Sequence, residues 1–111
     1  MTCADKSKRV RELNDALRRT PLGGHIMMTR GVEELGRELV GQLITLVRAY
    51  DHFNEDNDPY GEHEFGAFDH AGTKFFWKID YYDPSLSFHS EDASDPSRTV
   101  RVLTLMRADE Y

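Results

Sequence analysis

Apolar positions along the 111 residues recur with two different periods, and the change from one to the other divides the chain. Between Asp5 and Arg19, Val10, Leu13 and Leu17 stand three and four apart among charged neighbours, which predicts a helix with a narrow apolar stripe. Thr20-Pro21 ends it, because the residue before proline is pushed out of the helical region. Leu22-Gly23-Gly24 then turns the chain, and His25 to Thr29 is a short strand candidate. Val32 to Tyr50 carries the strongest helical pattern, with Leu35, Leu39, Leu43, Leu46, Val47 and Tyr50 on one face, widened by Val40 and Ile44. Glu33 and Glu34 in its first turn and Arg48 in its last suit the helix dipole. Gly36 and Gly41 each cost such a helix roughly 1 kcal/mol relative to Ala. Close approach of another backbone would explain them.

The second half reads with period two. Asn54 to Gly61 has no apolar period and holds Pro59, so it is a loop. Glu62 to Asp69 reads as a strand, Asp69-His70-Ala71-Gly72 as a hairpin turn, and Thr73 to Tyr82 as the central strand. Phe75, Trp77, Ile79 and Tyr81 fall on its inner face, with Phe76, Lys78, Asp80 and Tyr82 on the other. Asp83-Pro84 turns the chain, Leu86 to His89 is a short edge strand, and Glu91 to Ser97 is an acidic loop. Thr99 to Arg107 predicts the last strand, since Thr99, Val100, Val102 and Thr104 are β-branched. A helix capped by Asp95, with Pro96 at its first position, is the rival. The pattern predicts an α+β fold: an antiparallel sheet of four to five strands with two helices packed on one face. One domain spans residues 1–111, with 1–4 a frayed terminus.

Charge changes this picture more than composition does. Residues 1–50 carry a net charge of +3 and residues 51–111 a net of −9. From Asp51 to Asp69 there are seven carboxylates and no Lys or Arg. Such a field repels nucleic acid and favours basic partners or cations. The single Cys3 excludes an intrachain disulfide and leaves the reducing cytoplasm as the expected compartment. No apolar run approaches the ~20 residues that span a bilayer.

Three segments, EDNDPYGEHEFGAF, FFWKIDYYD and RVLTLMRADEY, resemble the small bacterial proteins of domain-of-unknown-function family 3768. The similarity runs from about His25 to Tyr111. It implies a short cytoplasmic protein of a kind often borne on plasmids or other mobile elements. It supplies no catalytic residues.

Three chemistries compete for the acidic stretch. Asp51, His52, Glu55, Asp56, Asp58, Glu62, His63 and Glu64 offer oxygen ligands and two imidazoles to a cation. In a calcium-loop register beginning at Asn54, however, Pro59 occupies the glycine position and Phe65 the bidentate glutamate. The histidines have no zinc spacing, and no metal or other cofactor is expected. Glu62, Glu64 and Asp80 on one sheet face could serve a metal-dependent or carboxylate-based hydrolase. No nucleophile, phosphate loop or cofactor fingerprint accompanies them, and Ser85, Ser87 and His89 do not define a triad. The third chemistry is binding without catalysis. Tyr60, Phe76, Tyr81, Tyr82 and Phe88 exceed what a sheet with one covered face can hide. The expected surface comprises Glu55, Asp56, Asp58, Tyr60, Glu62, Glu64, Asp80, Tyr82 and Asp83. Its partner is a basic protein surface, with neither nucleic acid nor membrane bound directly. An inhibitor of a host nucleic-acid-binding defence complex, of anti-CRISPR or anti-restriction type, is the concrete form of that expectation.

Overall fold

The computed structural model describes residues 2–111. Helix α1 spans Cys3–Arg19, so the expected frayed terminus is helical from Cys3 onward, while Met1 lies outside the described residues. The reason is a capping box. Thr2 Oγ1 accepts from the Asp5 amide at 3.1 Å, and the Asp5 carboxylate turns back to Thr2. Strand β1 (Gly24–Met28) follows the turn.

The helix expected over Val32–Tyr50 is two helices, α2 (Arg30–Glu33) and α3 (Arg37–Ala49). Gly36 stands between them with φ +91°, a conformation incompatible with a continuous right-handed helix. Close approach does not explain these glycines, because an added Cβ at Gly36 or Gly41 would meet nothing within 4 Å. Gly36 is there for its backbone angle; nothing in the structure explains Gly41.

Strands β2 (Phe65–His70), β3 (Thr73–Tyr82) and β4 (Val100–Arg107) complete a four-stranded sheet in the order β1-β4-β3-β2. The sheet is mixed rather than wholly antiparallel. β3 is antiparallel to β2 and β4, whereas β1 runs parallel to β4, from Gly24↔Arg101 to Met28↔Leu105. Helices and the hairpin separate β1 from β4, and so long a connection permits a parallel return. The hairpin turn lies at Ala71-Gly72, both at positive φ (51° and 78°), as a two-residue turn of this twist requires. The rival helix at the C-terminal segment is excluded by β4.

Two expected strands shorten or vanish. β2 begins at Phe65, not Glu62, because the Asp58 carboxylate takes the amides of Glu62 and His63, and His63 has φ +54°. Leu86–His89 forms no strand beyond one bridge, Tyr82↔His89. There Asp83 Oδ1 accepts from the amides of Ser87 and Phe88, and Leu86 turns at φ +60°.

The core lies between the sheet and the helices. Val10 and Leu17 of α1, with Val32, Leu43, Val47 and Tyr50, pack on Phe75, Trp77, Ile79, Tyr81, Leu103 and Leu105. Trp77 is fully buried, with the rings of Tyr50 and Phe53 edge-on to it at 5.6 and 6.1 Å. Its indole lies so close over Gly66 that a Cβ there would come within 2.2 Å of Nε1. The C-terminal 3-10 turn, Ala108–Glu110, is tied back by the Glu110 carboxylate to Thr29 Oγ1 (2.7 Å) and the Gly31 amide (3.1 Å). Tyr111 then packs on Phe65 and Phe76, which lie on the sheet face away from the core.

Truncating a large buried aromatic costs about 3–5 kcal/mol, a large share of the ~5–15 kcal/mol available to a small domain. Trp77→Ala is therefore expected to approach unfolding. A variant melting within a degree or two of wild type would place Trp77 outside the core.

Candidate functional site

The acidic loop is organised from α1. Arg18, fully buried, donates from Nη1 to the carbonyls of Val47 (2.9 Å), Arg48 (3.2 Å) and Tyr50 (2.8 Å) at the end of α3. The carbonyls of this last turn lack regular i+4 helical donors, and the Val47 carbonyl additionally takes the Tyr50 amide at 3.4 Å. Nη2 pairs with Asp15 at 3.0 Å, and the guanidinium lies over the rings of Phe53 and Trp77. Asp15 also sits 3.0 Å from His63 Nδ1, and the His63 ring stacks on Phe53 at 3.8 Å with 7° between planes. Helix, loop and core thus meet around one ion pair.

The loop is held at further points. Arg11 Nη1 donates to the Gly61 carbonyl at 3.3 Å and Asn14 Nδ2 to the Glu62 carbonyl at 3.0 Å. Asn54 Oδ1 accepts from the amides of Asp56 and Asn57, and Asn57 Nδ2 donates to the His52 carbonyl. With its backbone so engaged, the loop leaves the side chains of Glu55, Asp56 and Tyr60 in solvent, Tyr60 at 73% exposure.

A second polar group lies deeper. Asn14, fully buried, also donates to Tyr81 Oη at 2.8 Å and accepts from Arg101 Nε at 2.8 Å. Tyr81 donates to Glu64 Oε2 at 2.9 Å, and Arg101 donates to the Ala93 carbonyl. Burial pushes the Tyr81 phenol well above its ordinary range and lowers the Arg101 guanidinium. Burial, with Glu64 and Asp58 nearby, raises the Glu62 carboxyl.

The nine residues expected to form one surface are divided. Glu55, Asp56 and Tyr60 project from the loop, whereas Asp58 braces it, its side chain only 8% exposed. Glu62 and Glu64 precede β2 instead of sharing a strand face, and Glu64 is engaged by Tyr81. Asp80 and Tyr82 stand half-buried on the sheet face away from the core, Asp80 paired with Lys78 at 2.7 Å. Asp83 is occupied by its own turn, and the Ser85 hydroxyl chiefly holds its carboxyl below the ordinary range. Of the aromatics expected to be partly exposed, Tyr60 and Phe88 are, Phe76 and Tyr82 are half-buried, and Tyr81 is core. Among the described residues no group of three or more His, Cys, Asp or Glu side chains is placed to hold a metal ion. No helix among them is long and apolar enough to cross a membrane.

Sequence reading passed over Asn14, Asp15, Arg18 and Arg101, and weighed His63 only as a cation ligand. The available signal was the thinness of the α1 stripe: Val10, Asn14, Leu17 and Arg18 make one buried face, half of it polar.

Fold and site define a small α+β protein whose acidic loop is clamped to its first helix. The model of a family of proteins of unknown function, DUF3768, matches residues 28–110, and the chain belongs to that family. No curated protein and no solved structure matches it significantly.

The raised Glu62 carboxyl has a consequence for stability. A carboxyl whose folded pKa exceeds its unfolded value opposes folding once ionised. The penalty is absent below the ordinary glutamate range and complete above the raised value. Glu62→Gln is therefore expected to melt higher than wild type at neutral pH and at the same temperature in acid. Equal melting at both pH values would contradict the assignment.

Proposed function

We propose that this protein is a non-enzymatic binding module of the cytoplasm that engages a basic protein surface through its 54–60 loop. One observation carries the proposal: the loop backbone is already ordered by Asn54, Asn57, Asp58, Arg11 and Asn14, while the side chains of Glu55, Asp56 and Tyr60 are exposed to solvent. A pre-ordered loop loses little conformational freedom on binding. An exposed tyrosine offers contact area with few rotamers to freeze. The surrounding carboxylates steer a cationic partner.

Carboxylates and phosphates compete for the same Lys and Arg donors, so a groove that holds nucleic acid is a natural target. The carriage on mobile elements implied by the family resemblance directs the proposal to a host nucleic-acid-binding defence complex, which the protein would inhibit. A carboxylate-based hydrolase draws less support, because Glu64 is engaged by Tyr81 and Asp80 by Lys78.

The test uses wild type and Glu55→Gln/Asp56→Asn as baits in an extract of the source cell. Asp58 stays intact because it braces the loop. Wild type is expected to retain a basic nucleic-acid-binding protein that added DNA or raised salt releases, and the double variant to lose it. A partner retained regardless of salt, DNA and both substitutions would refute the proposal.

A further inference from the structure

A shallow groove of about 430 Å³ runs along the loop, bordered by Phe53, Asn54, Glu55, Pro59, Tyr60 and His63. Phe53 and His63 contribute a stacked pair of flat rings. Tyr60 contributes a ring largely in solvent, and Glu55 a carboxylate with no partner of its own fixed in the loop. A planar cation can stack flat against a ring and present its N–H edge to a carboxylate at the same time, whereas a compact ammonium has no flat face to stack.

The charge around Tyr60 also sets the side of approach. Its other flank is a second groove, bordered by Lys8, Arg11 and Asp5 of α1 together with Pro59, a lining that is net positive. A cation is repelled there and admitted on the Glu55 side. Elsewhere this chain places guanidinium groups over aromatic rings, Arg18 over Phe53 at 5.5 Å and Arg101 over Tyr81 at 5.3 Å.

We infer that the loop groove recognises an arginine side chain of the basic partner, stacked on Tyr60 and paired with Glu55, in preference to lysine. The inference rests on the loop's role as a binding surface and specifies the partner's chemistry.

The probes are oligo-arginine and oligo-lysine peptides of equal length, titrated at one salt concentration against wild type, Glu55→Gln and Tyr60→Leu. Melting curves serve to confirm that each variant is folded. A cation over an exposed ring corresponds to about a two- to five-fold difference in affinity, so wild type is expected to favour the arginine peptide by that factor. Tyr60→Leu should erase the preference and leave lysine-peptide binding unchanged. Glu55→Gln should weaken the arginine peptide more than the lysine peptide. Equal affinities on wild type, or a preference that survives Tyr60→Leu, would overturn arginine recognition while leaving charge-driven binding in place. Binding of neither peptide would overturn both.

Discussion

The structure turns on one buried guanidinium. The last carbonyls of α3 end against α1 beyond the reach of the helix's regular i+4 donors, and a buried carbonyl left unpaired costs about 1–3 kcal/mol. Arg18 answers three of them from a single nitrogen. Its charge must itself be compensated, because an unpaired buried cation is strongly unfavourable. Asp15, one helical turn earlier, does this and reaches on to His63 in the loop. Capping a helix, neutralising a charge and anchoring the loop are consequently a single arrangement. Desolvation consumes much of the energy of such a pair; its value lies in specifying which loop geometry accompanies which helix packing.

That arrangement sorts the carboxylates into two kinds. Asp15, Asp58 and Glu64 face inward and are engaged by named donors. Glu55 and Asp56 are exposed. The net charge of −9 in the second half of the chain is therefore not one undifferentiated field. Part of it is consumed in ordering the loop that displays the remainder. Tyr60 is displayed by the same loop, between an acidic flank and a basic one.

Where local pattern dominates, the sequence was legible. The alternation from Phe75 to Tyr81 placed β3 at its observed bounds and facing, and the β-branched run placed β4. The apolar spacing of α1 located the helix but hid its polar half, because Asn14 and Arg18 are buried only by partners 29 to 87 residues away in sequence. Periodicity could not show that Gly36 turns left-handed, since the flanking leucines keep helical spacing across it. Nor could alternation show that Asp58 removes the amides of Glu62 and His63 from the sheet. Of the candidate site, Glu55, Asp56 and Tyr60 were legible as an exposed acidic loop with an aromatic. Its rigidity was not.

Hydrogen exchange on Arg18→Leu, read together with its unfolding free energy, tests this account most directly. Removing one member of a buried pair costs about 3–5 kcal/mol, and the same loss is expected here. Amides of residues 51–64 should exchange faster at native conditions, while those of the β3–β4 ladder keep their protection relative to global unfolding. A variant within about 1 kcal/mol of wild type, with unchanged exchange across 51–64, would contradict the claim that Arg18 holds the loop.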